Sequence, residues 1–364
     1  KHDIAVFSSN YTLYGDLSWR VMETLRILTG DNNVEVYSVD EAFLNLDGFA
    51  TENLQQIGIN IRETVEQWTG IKVSVGVAPT KGLSKVANRL AKKHKLATGC
   101  VLVLDTREKI NKALQDTPIG EVWGVGRQYA QKLMDMNAVF TAFDLTKKTE
   151  EWANKNLGGV VGVRLIKELN GKPANTMKEE LTVKKMITTT RMFGSPVKNI
   201  NDIKEAIATY TSRSAEKLRK QQSAANIISV FVVPKEQNYN PYFRHEPTIS
   251  SYVTLPIATS ATNELIKPAL KLIDKLYEHG RLYKKAGVML SGLVPDANIQ
   301  GNLFVPNLNN DKRMLMSMLD NVNFAMRDDI VKFAASGIKR DWKMRQELRT
   351  PRYTTRWGEL SRVR

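Results

Sequence analysis

The sequence predicts an α+β protein of several domains: a partial ferredoxin-like unit, an all-helical stretch, a βαββαβ unit and a C-terminal tail. Three observations predict it. Apolar residues alternate in short β-rich runs between 34 and 104, interleaved with helical patterns. Over 107–172 they recur at helical spacing with no strand signal, and from Lys185 to Val294 strand and helix signals alternate again. At roughly 150 residues per domain, 364 residues suffice for two or three domains with real cores.

Residues 16–29 read as an amphipathic helix, with Asp16 in the N-cap place and Val21, Leu25 and Leu28 on one face. The runs 34–39 and 42–46 alternate as two antiparallel strands, and Asp40-Glu41 forms the turn or bulge between them. A helix over 52–68, a strand at 73–77, a helix from Pro79-Thr80 to Lys93 and a strand at 101–104 complete an αββαβ order. A ferredoxin-like sheet normally begins with one more strand. In the helical stretch, Gly124-Val125-Gly126 separates two short helices, the second over 128–136, as in a helix–hairpin–helix whose backbone N–H groups approach a phosphate. No strand precedes these glycines and no third follows at dinucleotide-fold spacing, so a Rossmann loop is excluded. A plain αα-turn stays open. Strands at 185–193, 225–234, 251–255 and 286–294, with helices at 201–221 and 262–278, make the βαββαβ unit. Asn, Pro and Gly beyond Pro295 mark a linker, and a helix near 311–326 precedes the tail.

Charge and composition narrow the function. No apolar run reaches the ~18 residues of a membrane helix. One cysteine, Cys100, excludes an internal disulfide framework and fits a reducing cytoplasm. Histidines at 2, 94, 245 and 279 have no zinc spacing. Lysine and arginine number 53 against 38 acidic residues, a formal net charge of +15. Residues 1–106 hold 11 basic and 12 acidic side chains, so the whole excess lies behind them, and 339–364 carry nine basic and three acidic. Such a surface suits phosphate backbones, whose neutralisation releases counterions; a merely solubilising basic face is the alternative.

Paired carboxylates at a strand turn, with lysines nearby, are what divalent-metal nucleotidyl transfer requires; a solvated Asp-Glu turn has the same sequence. The surrounding motifs add to this. YSVDEAF at 37–43, VSVGVAPTKGLSKVAN at 73–88 and AKK at 91–93 resemble the palm of a Y-family translesion DNA polymerase. WGVG at 123–126 and TTTRMFGSP at 188–196 resemble that family's thumb and little finger. FSSNYTLYGDLSWRVM at 7–22, YKKAGVML at 283–290 and TPRYTTR at 350–356 resemble its UmuC-like branch, and the resemblance spans essentially the whole chain.

The resemblance implies a palm over 1–106, a thumb with a helix–hairpin–helix over 107–172, a DNA-binding little finger over 183–296, and a linker with a basic tail over 297–364. It implies two Mg²⁺ ions on Asp40 and Glu41 as catalytic ligands. Lys92 then reaches the incoming triphosphate, and Tyr14 and Ser18 lie beside the nucleotide, with packing as their alternative. Lys81 and Lys85 stay open between the sheet and the template. Gly124, Val125, Gly126, Arg127, Arg191, Phe193 and Gly194 are the expected DNA-binding positions. Gln300, Leu303 and Phe304 resemble a Q-x-x-L-F peptide for a sliding clamp. Implied partners are primer–template DNA including damaged DNA, dNTPs, the clamp, a processed UmuD-type dimer and a RecA-type recombinase filament, with no membrane. The implied setting is the SOS response in a bacterial, nucleoid-associated cytoplasm.

The family also opens with a strand bearing another metal-binding aspartate, then an aromatic steric gate and a finger domain. These motifs are missing from the sequence, so the expectation is a fragment or a defective paralogue that binds Mg²⁺ poorly and turns over negligibly by itself. Two other classes stay in play: a DNA-binding accessory protein without catalysis, and a nucleotide cyclase-like palm enzyme.

Overall fold

A computed structural model describes residues 4–50, 53–178, 183–235, 247–301, 310–326 and 329–361. The chain divides into two units, Lys1–Glu180 with Leu348–Arg364, and Leu181–Glu347.

The first unit begins with α1 (Tyr11–Thr29), whose Met22, Leu25 and Thr29 are buried at helical spacing. Its N-cap is Asn10, six residues before the expected cap at Asp16. Asp16 lies inside the helix and pairs with Arg20 at 2.9 Å, one turn on, so propensity alone misplaced the cap. Strands β1 (Val34–Val36) and β2 (Ala42–Leu44) pair antiparallel, Val34 opposite Leu44. After α2 (Leu54–Thr69), β3 (Val75–Val77) leads into α3 (Lys81–Lys93), and α4 (Lys95–Thr98) into β4 (Val101–Val103), which lies parallel to β3. The expected single sheet is thus two separate pairs; among the described residues no strand hydrogen-bonds one pair to the other.

Thr80 caps α3 by accepting from the Leu83 N–H at 3.2 Å. Leu83, Val86, Ala87, Leu90 and Ala91 then bury one continuous stripe. Gly76 of β3 lets the helix lie directly on the strand. A Cβ there would meet the Asn88 nitrogen at 2.2 Å and the Ser84 carbonyl at 2.4 Å. The same α3 stripe packs against α5 (Arg107–Gln115), α6 (Arg127–Asn137), α7 (Ala142–Thr146), α8 (Glu150–Asn156) and α9 (Val160–Leu169) in one core from Leu83 to Leu169. One core therefore runs through residues expected to divide at 106/107, because the amphipathic α3 serves both sides.

The second unit follows the expected βαββαβ order: β5 (Ile187–Val197), α10 (Ile200–Lys220), β6 (Ser223–Pro234), β7 (Ile249–Thr259), α11 (Thr262–Leu276) and β8 (Tyr283–Pro295). The sheet order is β5-β8-β6-β7, every neighbouring pair antiparallel. Each β–α–β crossover therefore spans one strand belonging to the other, and the two interleave. Beyond β8, α12 (Asn310–Ala325) and the stretch 329–347 pack onto this unit. Trp342, from the expected basic tail, is 5% exposed and sits edge-on to Phe193 and Tyr210 at 6.4 and 5.8 Å. The tail's other stretch, 348–361, belongs to the first unit.

Burial pushes the Tyr210 phenol up to about 12, against a smaller opposing effect of Arg191. The folded unit holds this proton to higher pH than the unfolded chain, so the associated stability is complete below about pH 10 and lost as pH rises toward 12. Urea midpoints should fall across that window, and Tyr210→Phe should remove much of the slope. An equal slope in the variant would refute this.

Candidate active site

The β1–β2 turn is shaped by the Glu41 carbonyl, which accepts from the N–H groups of both Tyr37 and Ser38 at 3.0 Å. Its apex carries Asp40, exposed, with Oδ1 accepting from the Ser38 hydroxyl at 2.6 Å. Glu41 is half-buried and forms an ion pair with Lys85 of α3. One turn earlier, Lys81 pairs with Glu35 of β1, both nearly buried; it also donates to the Thr176 carbonyl at 2.8 Å, and the Lys178 N–H donates to Glu35 at 2.8 Å. Lys81 therefore faces the sheet, which closes the choice the sequence left open for it.

Spacings of four and seven place Lys81, Lys85 and Lys92 on one face of α3, because four residues advance about 40° beyond one full turn and seven fall about 20° short of two. Lys92 is exposed, about 10 Å along the axis from Lys85. Lys81 and Lys85 are engaged by Glu35 and Glu41, and Lys92 stands exposed farther along the same face.

Tyr37, Phe43 and Trp123 form an aromatic triangle with centroids 5.5 to 5.7 Å apart, and the Trp123 Nε1–H donates to the Tyr37 hydroxyl at 3.2 Å. Lys81 lies 4.9 Å from the Phe43 ring centroid and Lys85 5.8 Å from that of Tyr37. This cluster joins the carboxylate turn to the glycine hairpin, and sequence reasoning missed it. Its signal was present: aromatics flank Asp40-Glu41 on both sides, and a tryptophan precedes the glycines.

At that hairpin Gly124 has φ +91°, the left-handed region natural to glycine. Val125 is buried in the core, while Gly124, Gly126 and Arg127 are exposed. Gly126 occupies the N-cap of α6, with no side-chain cap. The expected first helix of the motif is a single 3-10 turn, Ile119–Glu121, too short to count as a helix of the pair. A cavity of about 490 Å³ opens beside it, lined among others by Tyr37, Trp123, Gly124, Tyr129, Arg164 and Glu168. Glu168, 1% exposed, was also missed. Its carboxylate accepts from the N–H groups of Gly82, Ala174 and Asn175 at 2.7 to 2.8 Å, and its carbonyl accepts from the Thr80 hydroxyl at 2.7 Å. It anchors the start of α3, and so the lysine row.

Tyr14 is exposed and Ser18 half-buried, on the same face of α1 as Met22, Leu25 and Thr29. In the second unit Arg191 is exposed, but Phe193 is 6% exposed and belongs to the core. The Gly194 N–H donates to the Trp342 carbonyl at 3.0 Å. These two expected DNA contacts are occupied by the chain's own C-terminal segment. Burial, with the charges of Lys184, Arg191 and Arg213, pushes the Lys217 ammonium below its usual value against the opposing pull of Glu216. That like-charge cluster was not foreseen. On the other face of the sheet Thr188, Met192, Ser250, Tyr252 and Thr254 are exposed. Gln300 is exposed, while Leu303 and Phe304 lie outside the described residues.

Two adjacent carboxylates suit a hard divalent cation whose shell is completed by phosphate oxygens and water. Among the described residues no group of three or more His, Cys, Asp or Glu is placed to hold a metal. The adjacent carboxylates of Asp40 and Glu41 have the donor chemistry for such a cation, and Glu41 is ion-paired with Lys85.

Residues 1–89 match the model of the impB/mucB/samB family, and 184–303 match that of its C-terminal domain. The chain is 37% identical to Protein UmuC of Salmonella typhimurium, over 99% of this chain and 84% of that protein. The chain belongs to the impB/mucB/samB family. It is UmuC-like, as the motifs at 7–22 and 350–356 led us to expect. DNA polymerase IV of Desulfatibacillum aliphaticivorans is 27% identical over 85% of this chain and 74% of that protein. The fold is that of a Y-family DNA polymerase: a Dbh–Dpo4 chimera of that family superposes with a TM-score of 0.60 at 20% identity, covering 78% of this chain and 77% of the other. Residues 313–363 match a model described as a domain of unknown function (DUF4113).

Glu168→Gln should cost about 1–3 kcal/mol, because the amide oxygen can still accept from Ala174 and Asn175 but its N–H₂ then faces the Gly82 N–H, which is left without an acceptor. Urea unfolding measures the loss, and an unchanged midpoint would show that the carboxylate is dispensable.

Proposed function

We propose that this protein is a DNA-directed DNA polymerase that carries out error-prone, template-directed synthesis across damaged DNA. The observation that carries this is the Asp40–Glu41 turn set against the lysine face of α3, in a UmuC-like member of the family. Asp40 and Glu41 would hold the two Mg²⁺ ions. The metal, when bound, supplies charge neutralisation at the triphosphate and activation of a primer 3′-hydroxyl. Asp40 is pre-oriented by the Ser38 hydroxyl. Glu41 becomes available as Lys85 turns from it toward phosphate, and Lys92 takes the distal phosphates. Tyr14 and Ser18 flank the nucleotide from α1.

DNA is held without regard to sequence. The amides at Gly124, Val125 and Gly126 and the Arg127 guanidinium suit a phosphate, as does Arg191 with Lys184 and Lys217 beside it. Phe193 and Gly194 support that strand from within rather than touching DNA. Gln300, Leu303 and Phe304 are the proposed sliding-clamp peptide. A processed UmuD-type dimer and a RecA-type filament are the further proposed partners, in the SOS response.

A second reading, a DNA-binding accessory protein without catalysis, is favoured by one observation. Glu41 is engaged by Lys85, and no third metal-binding group joins the pair among the described residues. The nucleotide cyclase reading falls with the family assignment.

Primer extension with Mg²⁺ and dNTPs decides between the two. The polymerase carrying this sequence should extend a primed template, and Asp40→Ala should abolish extension while DNA affinity stays within about twofold, since the carboxylate acts on metal and not on DNA. Extension by the variant at the wild-type rate would sink the assignment; absence of extension in both would leave the accessory reading. Duplex affinity should fall with log[salt] at a slope of about −4 to −5 if about five phosphates are neutralised. A flat response would remove the backbone-contact reading. Truncating Leu303 and Phe304 together to Ala should weaken clamp binding at least about a hundredfold, at roughly 1.5–3 kcal/mol per buried side chain. Unchanged clamp affinity with a lowered melting temperature would assign both residues to packing instead.

A further inference from the structure

The C-terminal segment, which matches the model of a domain of unknown function over 313–363, makes two separate sets of contacts, one in each unit. In the second unit Arg219 donates to both oxygens of Asp320 at 2.6 and 2.7 Å. Asp329 pairs with Arg213 at 2.7 Å and Arg340 at 3.4 Å, and Trp342 enters the core. In the first unit the stretch from Leu348 runs beside the start of α1. The Ser8 N–H donates to the Leu348 carbonyl at 2.9 Å, and Ser8 forms a parallel bridge with Arg349. Burial would lift the Asp16 carboxyl, but the Thr354 hydroxyl and Arg20 bring it below its usual value. Arg352 grips Glu359 with its guanidinium and its own N–H, closing the turn that follows.

Asn10 is where the two stretches meet. It is 1% exposed and does two things with one amide. Oδ1 caps α1 by accepting from the Leu13 N–H at 3.4 Å. Nδ2 donates to the Thr350 carbonyl at 2.8 Å, with the Thr350 hydroxyl at 3.2 Å and the Pro351 carbonyl at 3.4 Å. Among the favoured N-cap residues, Asp offers only acceptors, Ser and Thr a single hydroxyl hydrogen, and Gly no side chain. Only Asn carries a carbonyl for the helix and an N–H₂ for a second chain segment. A buried amide so placed is more than a cap.

We propose that the C-terminal segment of unknown function is an intramolecular clasp. Residues 310–326 and 329–347 are its fixed base on the βαββαβ unit, and 348–361 are its latch on the first turn of α1, with Asn10 as the catch. The clasp couples the C-terminal segment to the helix bearing Tyr14 and Ser18. That bearing on nucleotide rests on the proposed function, whereas the clasp itself does not.

Asn10→Asp separates the two roles, because the carboxylate still caps the helix but presents only acceptors to the Thr350 and Pro351 carbonyls. Hydrogen–deuterium exchange on the whole chain should show amides of 348–361 exchanging about tenfold faster or more, the loss of one or two hydrogen bonds, while 330–347 are unchanged and α1 stays protected beyond its first turn. A chain ending at Glu347 provides the second arm. Exchange over 8–14 should rise while exchange over 330–347, around the buried Trp342, keeps its wild-type rate. The clasp is overturned if the latch exchanges at the wild-type rate in Asn10→Asp, or if the base loosens together with it. It is equally overturned if residues 8–14 are unchanged in the shortened chain. Should Asn10→Asp fold poorly, the shortened chain decides alone. Neither arm requires catalysis, so failure here and failure of the polymerase reading are distinguishable.

Discussion

Two buried carboxylates at the start of α3 set the geometry on which the candidate site depends. Glu35 and Glu168 are 6% and 1% exposed. A buried anion is tolerated only when its oxygens are satisfied, and its partners are then held tightly in place. Glu35 is satisfied by Lys81 and the Lys178 N–H, Glu168 by three backbone N–H groups. The helix N-terminus adds its own preference for negative charge near Gly82. Because α3 is a rigid rod, fixing its first turn also fixes where Lys85 meets Glu41 and where Lys92 emerges. The same requirement holds the stretch 174–178 against α3 and β1, so the chain leaving α9 is drawn back onto the site.

Positive charge is the property most easily overread in this chain. The excess behind residue 106 is real, yet much of it is spent internally. Arg219, Arg213, Arg340 and Arg352 all face acidic partners. What distinguishes a surface suited to phosphate is like charge left close together. Lys217 shows it, since burial and neighbouring cations both disfavour its charged form. Such a cluster is relieved by an anion, whereas a salt-bridged arginine gains little from one. The aromatic triangle adds a second kind of organisation, because it locks the carboxylate turn to the glycine hairpin without any charge at all.

Local signals were legible where neighbours in sequence are neighbours in space. The Asp40-Glu41 turn, the stripe of α3 and the six elements of the βαββαβ unit follow from periodicity and turn residues. Missed features have partners far along the chain. Asn10 was hidden because its decisive contacts are to Thr350 and Pro351, and Asp16 looked the better cap when only local chemistry was weighed. Glu168 drew no notice in the sequence because its partners are backbone at Gly82, far along the chain, and at Ala174 beyond the end of its helix. Phe193 lay in a motif that resembles a DNA contact, but Trp342 stands edge-on to it.

The sequence by itself determined the order of elements, the location of the paired carboxylates, the lysine spacing on one helix and the family, because each is written in residues within a few turns of one another. Tertiary structure alone decided that Lys81 supports the sheet while Lys85 meets Glu41, that Trp342 belongs to a core, and that the C-terminal stretch is shared between the two units. Burial and hydrogen-bond completion decide such assignments, and both depend on which distant backbone arrives beside a side chain.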